Sequence, residues 1–171
     1  MVPLEDFWTA AREFGRELSE AQRRAVVAAY LTGAKDPTPV EGPYERVAVF
    51  GGVYNNHFAL EALLDDASDR GAEALYCLGD LGGFGPNPET VWPLLDAGSV
   101  HTLQGNYEQS LSSGHEHCNC GYADPRDNHF AALSYGYTER NCSPEYKAYM
   151  GSLPDRRRIL VGGRELLLVH G

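Results

Sequence analysis

An aspartate stands alone where an apolar run gives way to glycines. Ala74-Leu75-Tyr76-Cys77 reads as a buried strand, and Leu78-Gly79-Asp80 leads from it into Leu81-Gly82-Gly83-Phe84-Gly85-Pro86-Asn87-Pro88. In open α/β sheets, ligands bind in the crevice outside the carboxyl ends of the strands. Asp80 is therefore placed to hold a metal ion, or else to cap the loop by accepting backbone N–H bonds. The glycines and prolines keep the loop tight and close to whatever Asp80 holds, with Gly82 and Gly85 shaping it. A second cluster is His115-Glu116-His117-Cys118-Asn119-Cys120. Zinc sites use Cys and His two to four residues apart. Cys-x-Cys is tighter than the usual spacing and no second pair fits it, so this segment is either a metal site or a surface loop carrying thiols.

The bulk properties narrow the chemistry. The chain has 171 residues and a net charge of −10. That is enough for one domain with a real core. It argues against non-specific binding to nucleic acid or anionic membrane, which needs clustered Lys and Arg. Arg156-Arg157-Arg158 is the only basic cluster and reads as a strand edge or solvated turn. No run approaches the roughly 20 apolar residues of a membrane span. No signal peptide is visible at Met1-Val2-Pro3-Leu4, so a cytoplasmic location is expected. There the four cysteines are expected as thiols or metal ligands rather than disulfides.

Elements that would position these residues follow from periodicity. Residues 4–31 read as one or two helices, with Ser19-Glu20-Ala21-Gln22 as a capping box. A Pro-rich link at 36–43 leads to the body. The expected domains are a helical extension and linker at 1–43 and a main domain at 44–171. In the body, strands at 46–50, 73–78 and 99–103 alternate with helices at 58–67 and 88–97, which implies a parallel sheet with helices on its faces. Residues 109–127 read as a long loop. Helices follow at 128–139 and 144–152. A hairpin at 157–161 and 165–169 turns at Gly162-Gly163.

The body resembles the calcineurin-like metallophosphoesterases at four places in register. Phe50-Gly51-Gly52-Val53-Tyr54-Asn55-Asn56-His57 with Ala59-Leu60-Glu61-Ala62 is similar to the family's first motif, S-D-x-H-G-N with A-L-E-A behind it. Gly79-Asp80 with Gly82 and Gly85-Pro86-Asn87-Pro88 resembles the second. Gly105-Asn106-Tyr107-Glu108 resembles the third, G-N-H-D/E. Leu168-Val169-His170-Gly171 resembles the fourth. The resemblance implies an α/β sandwich of two sheets flanked by helices, with the N-terminal half to two-thirds present. It implies a site where Asp80 bridges two cations and Asn106 and His170 ligate one of them. Asp80 and Tyr107 would be the catalytic residues, Tyr107 facing the phosphoryl oxygens. The cofactor would be one or two ions of Mn, Fe, Zn or Ni, which these ligand types do not distinguish. The substrate would be a small phosphate ester.

The sequence departs from the pattern. The first motif's aspartate is Gly52 and its histidine is Tyr54; the third motif's histidine is Tyr107. A phenol titrates near pKa ~10 and ligates poorly at neutral pH. Substitute ligands could come from His115, His117, Cys118, Cys120, His57 or Tyr54. The bland alternatives are a turn residue at Asn106, a buried strand-end histidine at His170 and a first-turn helix residue at His57. The chain ends before the family's G-H-x-H motif, so a C-terminally incomplete domain is expected; were the chain whole, its uncovered sheet would dimerise or recruit a partner. Three functions remain: a metal-dependent phosphoesterase with an altered site, an inactive binding or regulatory module, or a metal site rebuilt by the 115–120 loop.

Overall fold

The computed structural model describes residues 36, 38–118 and 120–171. The helices expected over 4–31 lie outside the described residues. Pro39–Gly171 forms one compact unit. Its strands are β1 (Val40–Tyr44), β2 (Val47–Phe50), β3 (Ala74–Cys77), β4 (His101–Thr102), β5 (Arg156–Val161) and β6 (Arg164–Val169). Its helices are α1 (His57–Asp69), α2 (Val91–Ala97), α3 (Asn106–Ser113), α4 (Pro125–Asn141) and α5 (Pro144–Ser152). No helix among the described residues is long and apolar enough to cross a membrane.

Two three-stranded sheets result. One is parallel, in the order β2-β3-β4; the other runs β1-β5-β6, with β1 parallel to β5 and β5 antiparallel to β6. The α/β class and the alternating elements are as the periodicity predicts. Successive strand residues point to opposite faces, and β3 uses both. Tyr76 joins Leu103, Ile159 and Leu168 in a cluster between the sheets, whereas Cys77 joins Leu60, Leu95, Leu111, Tyr146 and Met150 under the helices. A fully buried leucine of this kind contributes about 1.5–3 kcal/mol. The alternation explains why β3 reads as a continuous apolar run: it is covered on both faces.

Two elements differ from the sequence reading. The Pro-rich link contains β1, which pairs with β5 at a sheet edge, and its register shifts between Glu41 and Tyr44. Proline is tolerated at such an edge or irregularity, and there it disguises the strand. The loop expected at 109–127 is in part α3. Its serine-rich sequence has modest helix propensity, but Tyr107 and Leu111 bury in the core and the contacts override the preference.

β1 also carries a polar anchor between the sheets. The Glu41 carboxylate accepts from Arg157 Nη1 at 2.6 Å and from the Tyr76 hydroxyl at 3.0 Å. Burial pushes the Glu41 carboxyl up, but Arg157, Tyr76 and His101 outweigh it and leave the group below its ordinary value of 4.5. A carboxyl lowered in the folded state adds stability that is present above the unfolded pKa and lost as pH falls through the folded one. Urea denaturation should therefore show stability declining on acidification below about pH 4.5. Glu41→Gln should cost about 1–2 kcal/mol at neutral pH and flatten that decline. An unchanged acid profile in the variant would remove Glu41 as its source.

Candidate functional site

Three backbone N–H groups from two loops meet on one buried carboxylate. Glu108, the third residue of α3, is fully buried. Its Oε2 accepts the Asp80 N–H at 2.8 Å and the Gly105 N–H at 2.8 Å, and its Oε1 accepts the Leu81 N–H at 2.7 Å. Burial raises the Glu108 carboxyl, and these three N–H groups oppose that rise. The bonds hold Asp80 in a left-handed conformation, φ 61°, which a residue with a side chain rarely adopts. The first loop is tied to the same place: the Gly52 N–H donates to Gly79 O at 3.2 Å and the Tyr54 N–H to Asp80 O at 2.8 Å.

The side chains of Asp80, Asn106 and His170 converge there. His170 Nδ1 lies 2.7 Å from Leu78 O, a carbonyl that can only accept, so Nδ1 carries a proton. Nε2 then faces Asn106 Oδ1 at 2.9 Å and Asp80 Oδ1 at 3.6 Å. The Asn106 amide cannot be reversed without loss, because its Nδ2 donates to Cys118 O at 2.8 Å. Asp80 Oδ1 is buried without a hydrogen-bond partner. One nitrogen and two oxygens thus share a space that calls for a proton or a metal cation between them. Bonds of about 2.0–2.2 Å to one ion place neighbouring donors roughly 3–3.5 Å apart, close to the spacings found. The residues therefore fit a metal. Burial raises the Asp80 carboxyl, and His170, the Tyr107 N–H and the Tyr54 hydroxyl pull it back without cancelling the rise.

Other predicted residues lie elsewhere or act differently. Tyr107 is buried, its hydroxyl has no hydrogen-bond partner, and its ring packs against Tyr54, Phe84 and Tyr135. Its ring is turned into the core, a correction to the phosphate-facing role. His57 begins α1 and stacks on Phe58, with Nδ1 3.4 Å from Thr90 Oγ1. Cys118 and Cys120 form a disulfide, and His115 and His117 are exposed. This corrects the expectation of thiols and of a rebuilt metal set, since a sulfur bonded to sulfur offers no thiolate. Among the described residues no group of three or more His, Cys, Asp and Glu gathers for a metal; at Asp80 and His170 the third donor is the Asn106 amide. Cys77 and Cys142 are buried thiols, each pushed up to about 12 chiefly by burial.

The glycine loop is clamped from two sides. A Cβ would meet Leu111 Cδ1 at 2.8 Å from Gly82 and the Asn55 carbonyl oxygen at 2.7 Å from Gly85. Thr138 Oγ1 accepts from the Gly83 N–H at 3.2 Å and from Asn55 Nδ2 at 3.0 Å, and the Phe84 N–H donates to Ser134. The sequence reading assigned no role to Glu108, Asn55, Ser134 or Thr138. Glu108 and Asn55 lay inside quoted motifs. The α4 residues carried no signal, because their partners are about fifty or more positions away.

This geometry sits on a known scaffold. No protein-family model matches the chain. The uncharacterised protein MJ0912 of Methanocaldococcus jannaschii is 27% identical over 124 residues, 72% of this chain and 48% of that protein. The hypothetical protein PH1004 from Pyrococcus horikoshii OT3 aligns with TM-score 0.57 and 24% identity, over 71% of this chain and 52% of that one. A provisionally assigned diadenosine tetraphosphatase aligns with TM-score 0.52 and 24% identity, over 71% and 50%. The fold is that of the calcineurin-like phosphoesterases, in part. The chain spans about half the length of each of these proteins.

Glu108→Ala strips the acceptor from three buried N–H groups, each costing about 1–3 kcal/mol when left unpaired. We expect a loss of at least about 3 kcal/mol in urea denaturation. A loss below about 1 kcal/mol would mean that water replaces the carboxylate. Gly85→Ala should destabilise by about 1–3 kcal/mol, since the contact it meets is backbone rather than a movable side chain.

Proposed function

We propose that the chain is a metal-dependent phosphoesterase domain, with Asp80, Asn106 and His170 holding the metal. The observation that carries this reading is the buried, unpartnered Asp80 Oδ1, aimed at the same space as His170 Nε2 and Asn106 Oδ1. The phosphoesterase fold supports it. A divalent cation bound there supplies Lewis acidity toward phosphoryl oxygens and activates water.

The chain's own residues do the positioning. The Leu78 carbonyl fixes the His170 tautomer and aims Nε2 inward. Glu108 holds the Asp80 backbone, and the Cys118 carbonyl orients the Asn106 amide. The Asp80 and His170 side chains are 16% and 22% exposed, so a small phosphate ester can approach from solvent. The provisionally assigned tetraphosphatase among the structural neighbours makes dinucleoside polyphosphates one class of ester to assay.

A second reading, a binding module without turnover, draws on the burial of Tyr107, which withdraws a candidate proton donor from the substrate side. Hydrolysis of a nitrophenyl phosphodiester separates the two. We expect turnover that requires added manganese or zinc, stops with chelator and falls at least about a hundredfold in Asp80→Ala. A metal-loaded chain inert toward phosphomonoesters, phosphodiesters and dinucleoside polyphosphates would establish the binding module instead.

A further inference from the structure

We infer that Tyr54 closes one side of Asp80, so that this chain holds a single metal ion, ligated by Asp80, Asn106 and His170. The inference rests on the metal reading above and fixes its stoichiometry. Tyr54 is a positioning residue here.

The geometry begins at Gly52. A Cβ built on Gly52 would meet the Tyr54 ring at 3.2 Å (Cε2), 3.4 Å (Cζ) and 3.5 Å (Oη). The ring therefore fills the space that any side chain at 52 would enter, and the two positions form a small–large pair. The backbone locks the arrangement, because the Tyr54 N–H donates to Asp80 O at 2.8 Å. Tyr107 and Phe84 pack edge-on against the Tyr54 ring, with centroids 6.1 and 5.2 Å away. Asp80 Oδ1 faces His170 with no hydrogen-bond partner. The Tyr54 ring thus occupies the position-52 side of the Asp80 backbone, and Oδ1, on the His170 side, is the oxygen left for one cation.

Metal content of the full chain, dialysed against excess manganese and then buffer, tests the inference. We expect a single manganese ion per chain in the wild type and a second in Gly52→Asp/Tyr54→His, which exchanges the phenol plug for two ligating side chains. Two ions in the wild type would overturn the inference while leaving the metal reading intact. No ion in the wild type would overturn the metal reading and the inference with it. A single ion in a double variant with wild-type circular dichroism would also overturn the inference. An independent arm needs only the wild-type fold. Loaded with ferric ion, the wild type should show no visible phenolate-to-iron charge-transfer band. A band that disappears in Tyr54→Phe would overturn the inference, because Tyr54 would then be a ligand.

Discussion

The Glu108 carboxylate is the constraint on which the site depends. It is buried from solvent and accepts N–H groups from Asp80, Leu81 and Gly105. A buried charge is tolerated only when such bonds replace water. They tie the end of β3 to the start of α3, two segments that share no strand pairing of their own. The left-handed backbone at Asp80 costs roughly 1–2 kcal/mol, and Glu108 offsets it while the side chain faces His170. His170, at the end of β6, is added through Leu78 O. One site therefore draws on both sheets, and it exists only if they pack correctly.

That packing rests on alternation within β3. Tyr76 binds the second sheet through its ring and through its hydroxyl to Glu41, and Cys77 binds the helical layer. The helices reach the loops in turn. α4 lies far from Asp80 in sequence, yet its Ser134 and Thr138 hold the glycine loop by hydrogen bonds to backbone N–H groups. A loop clamped this way keeps its shape without an internal ladder, which suits a surface that must position small groups near a charge.

Gly52 and Tyr54 show how such a site can change without collapsing. Each is a poor metal ligand alone, and as a pair they fill one volume. The aromatic contacts to Tyr107 and Phe84 then replace ligand bonds as the local source of rigidity. The segment around Cys118 and Cys120 takes a comparable role. Its sulfurs bond to each other, and it acts on the site through the Cys118 carbonyl and the Cys120 sulfur, both of which accept from Asn106 Nδ2.

By itself the sequence determined the alternating strands and helices, the loop at Asp80 and the order of the strand ends that carry Asn106 and His170. These features are written in local periodicity, in glycine and proline placement, and in runs short enough to be read in one window. Only the tertiary structure decided the rest. β1 was hidden by Pro43 and exists because β5 offers it an edge. α3 was hidden by its serines and exists because Tyr107 and Leu111 are buried. Burial turned Tyr107 from a substrate contact into core, and the Gly52 space turned Tyr54 into a plug. In each case the deciding partner is distant in sequence or bound by shape alone, and contacts of that kind leave no periodic trace along the chain.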